Sequence, residues 1–296
     1  MSSAPRSPTA TISAVVSDVD GTLVTDDKML TARSRAAVAS LHARDIPFAI
    51  VSSRPPRGLR MLIEPLRITT PVVGFNGGLL ATPDLSPLTQ HVLSPAAARQ
   101  ALEIIRAHDA QAWLFRGEDW LLRDPAGPYV ELEQRTIGYG PIVVEDFGRA
   151  LEAADKIVGV SRDFDLLTAL EQHAHAALAR QATVARSQPY YVDFTHPLAN
   201  KGVALSELAR LLAVPEHEIA VIGDGANDIA MFARSGLSIA MGNGSPQARG
   251  AADFVTDRNN DDGFAKAVER FVLGGHRSNA AMPRPASVRA RAGGIR

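Results

Sequence analysis

Five short apolar runs, each stopping at a cluster of small or polar residues, constrain this chain more than any other feature. They are Ile12 to Ser17, Pro47 to Val51, Pro71 to Phe75, Glu218 to Ile222 and Leu237 to Ala240. The first runs into Asp18-Val19-Asp20-Gly21-Thr22, and the second into Ser52-Ser53-Arg54-Pro55. The third reaches Asn76-Gly77-Gly78, the fourth Gly223-Asp224-Gly225, and the fifth Met241-Gly242-Asn243-Gly244. Runs this short and this apolar suit strands covered on both faces. Helical spacing follows most of them, as with Ala37, Val38 and Leu41 behind a Thr31 N-cap, then Arg57 to Glu64, Val203 to Leu212 and Ile229 to Arg234. Strand, polar turn and helix in repetition predict an α/β fold, a Rossmann-like doubly wound parallel sheet with helices on both faces. In such a sheet ligands sit at the carboxyl ends of the strands. Every polar cluster falls at such an end, which makes one site out of five fragments.

The stretch from Asp84 to Pro189 has a different texture. It holds both tryptophans, Trp113 and Trp120, and mixes strand-like runs (111 to 115, 142 to 145, 156 to 160, 182 to 185) with helical patterns at 96 to 107 and 163 to 173. It reads as an α+β domain, 84–189, inserted between two halves of the core, 12–83 and 190–273. Outside these lie a Ser/Pro/Ala/Thr-rich extension, 1–11, and a basic tail, 274–296, both read as disordered.

Composition then removes whole classes of function. The 296 residues carry a formal net charge of −1, so nothing in the whole-molecule field draws the chain to nucleic acid or an anionic membrane. With no cysteine, thiolate catalysis, disulfides and Cys-ligated zinc are excluded, and a reducing cytoplasmic location is the expectation. No apolar stretch approaches the roughly 20 residues that span a bilayer. The eight histidines show no metal-ligand spacing, and no GxGxxG or GxxxxGK[ST] fingerprint occurs. Oligomeric state is left open.

The chemistry rests on four clusters. Asp18 and Asp20, two apart on an extended chain, point the same way and address one substrate. Two such carboxylates repel, and a hard cation such as magnesium relieves the repulsion through carboxylates, water and substrate phosphate. Asp224 and Asp228 are four apart, so both face one cation if a helix begins near Asp224, with Asn227 supplying an amide. Ser52 offers a hydroxyl just before a helix N-terminus, a cradle for phosphate. Lys201 opens a helix where its charge opposes the helix dipole, so it needs another reason to be there, such as phosphate.

These motifs, in this order, resemble those of the haloacid dehalogenase-like superfamily: Asp18-Val19-Asp20-Gly21-Thr22, Ser52, Lys201 and Gly223-Asp224-Gly225-Ala226-Asn227-Asp228. The insert between the serine and lysine motifs resembles the Cof-type (IIB) branch with its large α/β cap, as do Ile239-Ala240-Met241-Gly242-Asn243, Ala252 to Thr256 and Asp262-Gly263. The resemblance runs from Ile12 to Leu273 and is weakest in the cap. It implies a magnesium-dependent phosphatase acting on a small phosphorylated metabolite, a sugar phosphate or a phosphorylated cofactor. Asp18 is then the nucleophile that forms an aspartyl-phosphate, and Asp20 the general acid and base. Ser52 and Lys201 hold the transferring phosphoryl oxygens. The metal is held by the Asp18 carboxylate, the Asp20 carbonyl and Asp224, supported by Asp228 and Asn227. Arg54 and Asn76 join as substrate neighbours, and Arg116, close in sequence to both tryptophans, as a cap contact. Ser53 replaces the glycine common in this motif and adds a side chain near the pocket.

Two other readings stay open at this stage. A phosphomutase would pass the phosphoryl group to another hydroxyl on the same scaffold. A phospho-acceptor or binding module would hold it without turnover, but such a module has no use for a carboxyl two residues past the nucleophile or for a large insert.

Overall fold

The computed structural model describes residues 11–274. The two terminal extensions, apart from Thr11 and Gly274, lie outside the described residues. Five parallel strands form the core sheet, in the spatial order Phe254–Val255, Leu237–Ala240, Ile219–Gly223, Ala14–Ser17, Phe48–Ile50. The apolar runs lack alternation because both faces are covered. Val15 joins one hydrophobic cluster with Val38, Leu41 and Phe264, whereas Ala14 and Val16 join the opposite one with Leu205, Leu208 and Met231.

The chain moves outward from the first strand to the second, then returns on the other side of the first. Ala14–Ser17 and Ile219–Gly223 therefore flank a topological switch point, the usual place for a ligand in an open α/β sheet. Their parallel register pairs Ser17 with Ile222, and the Asp18 amide donates to the Ile222 carbonyl at 2.9 Å. Asp18 and Asp224 thus leave neighbouring strands at the same height.

The third apolar run departs from expectation. Val72–Gly74 touches the core sheet through a single parallel bridge, Val51 to Val73, and instead builds a three-stranded antiparallel sheet with Leu79–Ala81 and Pro87–Gln90. The turn at Asn76-Gly77, both with positive φ, folds the chain back at once.

A six-stranded sheet forms the cap, in the order Thr183–Gln188, Tyr191–Thr195, Lys156–Val160, Gln111–Arg116, Asp119–Leu122, Ile142–Val143. Helices Pro95–Ala107 and Phe164–Leu178 cover one face through Ala101, Ile105, Leu167 and Leu170. The other face gathers Trp113, Phe115, Trp120, Val158 and Tyr191 with Val130 and Ile137 of the helix Val130–Ile137, and with Phe75 and Leu79 of the core half. Tyr191–Thr195 pairs along its whole length with Lys156–Val160, so the cap sheet reaches Thr195, beyond the boundary at 189 expected from sequence. The reason is plain: an apolar strand entering the core and one closing the cap have the same composition. Where the chain crosses between the two parts, the rings of His91 and His196 stack at 5.2 Å.

Candidate active site

Lys201 is the hub of the site. It opens the helix Lys201–Leu212 behind the N-cap Asn200, whose side chain accepts from the Val203 amide. Its Nζ donates to Asp18 Oδ1 at 2.5 Å and to Asp228 Oδ1 at 2.6 Å, and the side chain is almost wholly buried. Burial works against the ammonium, yet Asp18 and Asp228 hold its pKa above the ordinary lysine value.

Asp228 serves mainly as a clamp. Its other oxygen, Oδ2, accepts from the amides of Asp224 and Gly225, each at 2.8 Å. A helical turn begins only at Ala226, so Asp224 and Asp228 do not share a helix face as expected. The turn instead folds the Asp228 carboxylate back onto the amides ahead of it, which fixes the Asp224 backbone and orients Lys201.

Oxygens of Asp18, Asp224 and Asp228 lie within 4.8 Å of one another. Burial pushes Asp18 up to about 6, with Lys201 pulling it back and Asp228 adding to the rise. Burial, then the nearby Asp18 and Asp228, push Asp224 up to about 8. Asp18 Oδ2 is buried with no hydrogen-bond partner among the described residues. An orphaned carboxylate oxygen beside crowded like charges and one lysine fits a divalent cation with hard oxygen ligands. The Asp20 carboxylate takes no part in this group, so any share in metal binding falls to its main-chain carbonyl.

Asp20 is engaged elsewhere. Arg54 donates to both of its oxygens, Nε to Oδ2 at 2.6 Å and Nη2 to Oδ1 at 2.8 Å, and Lys28 Nζ lies 2.8 Å from Oδ1. Burial alone would raise Asp20, but Arg54 and then Lys28 outweigh it and hold the carboxyl well below the usual range. The remaining Arg54 nitrogen, Nη1, reaches across to the cap and donates to the Thr136 carbonyl at 2.8 Å. Ser52, buried at the end of its strand, accepts on Oγ from the Arg54 amide at 3.1 Å. Ser53 is held through its carbonyl, which accepts from the cap residue Lys156 at 3.0 Å. Asn76 and Asn227 come together, Nδ2 of Asn227 donating to Oδ1 of Asn76 at 3.0 Å.

Arg116 does not reach the site. It is two residues beyond Leu114, which packs with the helices on the far face of the cap sheet, while Trp113 and Phe115 face inward. Its guanidinium is exposed and lies 3.6 Å from the Asp119 carboxylate across the hairpin. Strand parity cannot be counted without knowing where the strand lies in its sheet, which is why nearness in sequence to the tryptophans misleads.

Sequence reasoning also misses Lys28, Lys156 and Asn243. Only Asn243 has a signal, in the glycine turn at the end of the fifth run. Its Nδ2 donates to the Gly21 carbonyl at 2.8 Å, and its Oδ1 accepts from the Asn259 amide at 2.9 Å. Gly21 itself has φ +79, and a Cβ there would collide with the Asp224 carboxylate. Gly21→Ala should therefore displace the Asp224 carboxylate and weaken any magnesium binding at Asp18 and Asp224 by about 10–100-fold. Isothermal titration with magnesium checks this, and wild-type affinity in the variant would remove Gly21 from the argument.

A family model for haloacid dehalogenase-like hydrolases matches residues 15–268. A solved haloacid dehalogenase-like hydrolase from Bacteroides thetaiotaomicron superposes with a TM-score of 0.79 at 26% identity, covering 88% of this chain and 99% of the other. A 5-amino-6-(5-phospho-D-ribitylamino)uracil phosphatase of Bacillus subtilis is 23% identical, covering 88% of this chain and 96% of that protein. An HMP-PP phosphatase of Cronobacter sakazakii is 26% identical over 78% of this chain and 84% of its own length. A parallel sheet carrying paired aspartates at its switch point, under an inserted cap, defines a capped hydrolase. The chain belongs to the haloacid dehalogenase-like hydrolase family, in its Cof-type branch.

Proposed function

We propose that this protein is a magnesium-dependent phosphatase that hydrolyses a small phosphorylated metabolite through an aspartyl-phosphate on Asp18. The observation that supports this most is the state of the Asp18 carboxylate: one oxygen is fixed by Lys201, the other is unpartnered in a buried site. The relatives' names, a ribitylaminouracil phosphate phosphatase and an HMP-PP phosphatase, favour a sugar-phosphate-like or cofactor-precursor ester.

In the first step an Asp18 oxygen attacks phosphorus, the bond to the leaving oxygen breaks, and that oxygen takes a proton from Asp20. Lys201, with the Ser52 hydroxyl and the amides beyond it, stabilises charge on the transferring phosphoryl oxygens. In the second step Asp20 takes a proton from water as it attacks the phosphorus, and the Asp18 carboxylate leaves. Its pairing with Arg54 and Lys28 suits this second role, since a base must be ionised. The first role requires that Asp20 gain a proton before the ester bond breaks, which means loosening one of those partners. Asp18 and Asp224, with Asp228 behind them, would hold magnesium, which supplies charge neutralisation at the phosphoryl group.

The reading is tested by phosphate release from a panel of phosphate monoesters, with magnesium and with chelator. Metal-dependent free phosphate supports it; isomerised ester without free phosphate would point to a mutase, and a stable phosphoprotein to an acceptor module.

Metal removal should also appear as a pH-dependent stability change. The folded pKa values of about 6 and about 8 for Asp18 and Asp224 lie above the ordinary carboxylate value. The folded state then holds protons that the unfolded chain releases, so stability falls as pH rises from about 4 to about 8. Magnesium favours the ionised carboxylates and opposes this fall. The rise in melting temperature on replacing chelator with magnesium should be larger at pH 8 than at pH 5. An equal rise at both would separate the cation from these two groups.

A further inference from the structure

Three consecutive peptide carbonyls follow the second core strand, and they are satisfied from two sides. The Ser52 carbonyl accepts from the Asn76 amide at 2.8 Å and the Arg54 carbonyl from the Phe75 amide at 2.9 Å, both within the core. The Ser53 carbonyl between them takes its bond from the cap, where Lys156 Nζ donates at 3.0 Å. Lys156 opens Lys156–Val160, an interior strand of the cap sheet, with Phe115 and Thr195 opposite it on the two neighbouring strands. The residue is 3% exposed, and its Nζ lies 4.8 Å from the centre of the Phe115 ring. An ion pair with Asp193 is the simpler reason for a buried lysine, yet that carboxylate is 3.8 Å away, farther than the Ser53 carbonyl.

The bond to Ser53 reaches the site through one planar unit. The carbonyl of Ser53 and the amide of Arg54 belong to the same peptide, so holding one fixes the direction of the other. That amide donates to Ser52 Oγ at 3.1 Å. With Oγ engaged as an acceptor, the Ser52 hydroxyl keeps its own proton to donate to a phosphoryl oxygen. A cation at the carbonyl end also polarises the peptide and strengthens the donor at the other end. Arg54 ties the same loop to the cap in the opposite sense, through Nη1 and the Thr136 carbonyl.

We propose that Lys156 is a positioning residue for phosphoryl transfer. From the cap it fixes the Ser53–Arg54 peptide and so aims the Ser52 hydroxyl, which leaves the phosphate cradle complete only while the cap is seated on the core. The proposal rests on the phosphatase reading and concerns the transferring group, not the leaving group.

The test compares wild type, Lys156→Met and Asp193→Asn in kcat/KM for glycerol 3-phosphate and phenyl phosphate, and in inhibition by vanadate and by inorganic phosphate. Vanadate adopts the five-coordinate geometry of phosphorus in the transition state, whereas inorganic phosphate keeps the tetrahedral ground-state shape. Lys156→Met should lower kcat/KM by about 10–100-fold on both esters and raise the Ki for vanadate by a similar factor, with a smaller change for inorganic phosphate. An inhibition constant does not depend on how much of the enzyme is active. A merely damaged fold would therefore lower turnover and leave both Ki values unchanged, and that result would overturn the proposal. So would a loss confined to one ester, which would set Lys156 against the leaving group. Asp193→Asn keeps the bond to Ser53 and should stay within about threefold of wild type. A loss as large as that of Lys156→Met would assign the effect to the ion pair and overturn the proposal. If Lys156→Met fails to fold, the double variant Lys156→Met/Asp193→Asn, which leaves no lone buried carboxylate, is read against Asp193→Asn by the same criteria. Wild-type turnover with these losses absent would overturn this inference and leave the phosphatase reading standing. No turnover of any ester would remove both.

Discussion

Asp18→Asn should abolish steady-state phosphate release, by about 10⁴-fold or more, while leaving the protein folded. The asparagine keeps the shape of the side chain, and its carbonyl oxygen can still accept from Lys201, which retains Asp228 as its second partner. On the proposed mechanism, what is lost is the nucleophile, together with one of several crowded negative charges. Removing a buried like charge relieves repulsion on Asp224, whose carboxyl is raised by burial and then by Asp18. The melting temperature in chelator should accordingly hold or rise. Loss of activity with an unchanged or higher melting point is hard to obtain by damaging the fold, so the pairing of the two measurements matters. Acid-quench trapping of a phosphorylated wild-type enzyme, absent in the variant, would complete the assignment. More than about 1% residual turnover would remove Asp18 from the role of nucleophile.

Lys201→Met should be costly in both activity and stability. The ammonium is sealed between Asp18 and Asp228, and its removal leaves buried carboxylates without their cation. Breaking a buried pair from one side typically costs about 3–5 kcal/mol, because the remaining charge is uncompensated. Methionine fills a similar volume, so the loss reports charge more than packing. The sign with pH follows from the same physics. Without lysine the folded-state carboxyl pKa values rise further above those of the unfolded chain, so the penalty grows as pH rises and shrinks as the carboxyls protonate. Denaturant unfolding at pH 5 and pH 8, in chelator, should show the larger deficit at pH 8. A deficit independent of pH would mean that packing carried the effect. Turnover should fall by about 10²–10³-fold, the usual scale for losing one preorganised donor to a developing charge.

Much of the core is legible in the order of the amino acids. Runs such as Val15 to Ser17 and Ala220 to Ile222 are apolar without alternation because helices cover both faces of the sheet, and that pattern survives in a linear reading. The acidic motifs are legible for a related reason. A catalytic carboxylate at a strand end must follow immediately on the strand that carries it, so strand and motif are adjacent in sequence. Thr31 as an N-cap and Lys201 at a helix start are local features too, and the structure has both.

The cap resists for the opposite reason. Asp119–Leu122, Val130–Ile137 and Tyr191–Thr195 do not announce themselves as its elements, because their partners lie far away in the chain and their composition is ordinary. Glu133 and Lys156 are charged residues, normally solvated, yet both are buried among partners far away in the chain, Tyr191 for Glu133 and the Ser53 carbonyl for Lys156. Arg116 fails on parity, which belongs to the sheet and not to the hairpin.

The sequence by itself determined the class of sheet, the end of the sheet at which chemistry sits, and the residues there that bear charge, since each depends on near neighbours in the chain. Only the tertiary structure decided that Lys201 bridges Asp18 and Asp228 and that Arg54 joins Asp20 to the cap. Those are contacts between groups 27 to 183 residues apart, such as Lys201 with Asp228 and with Asp18. Strand register and domain apposition set such contacts, and no local pattern encodes either one.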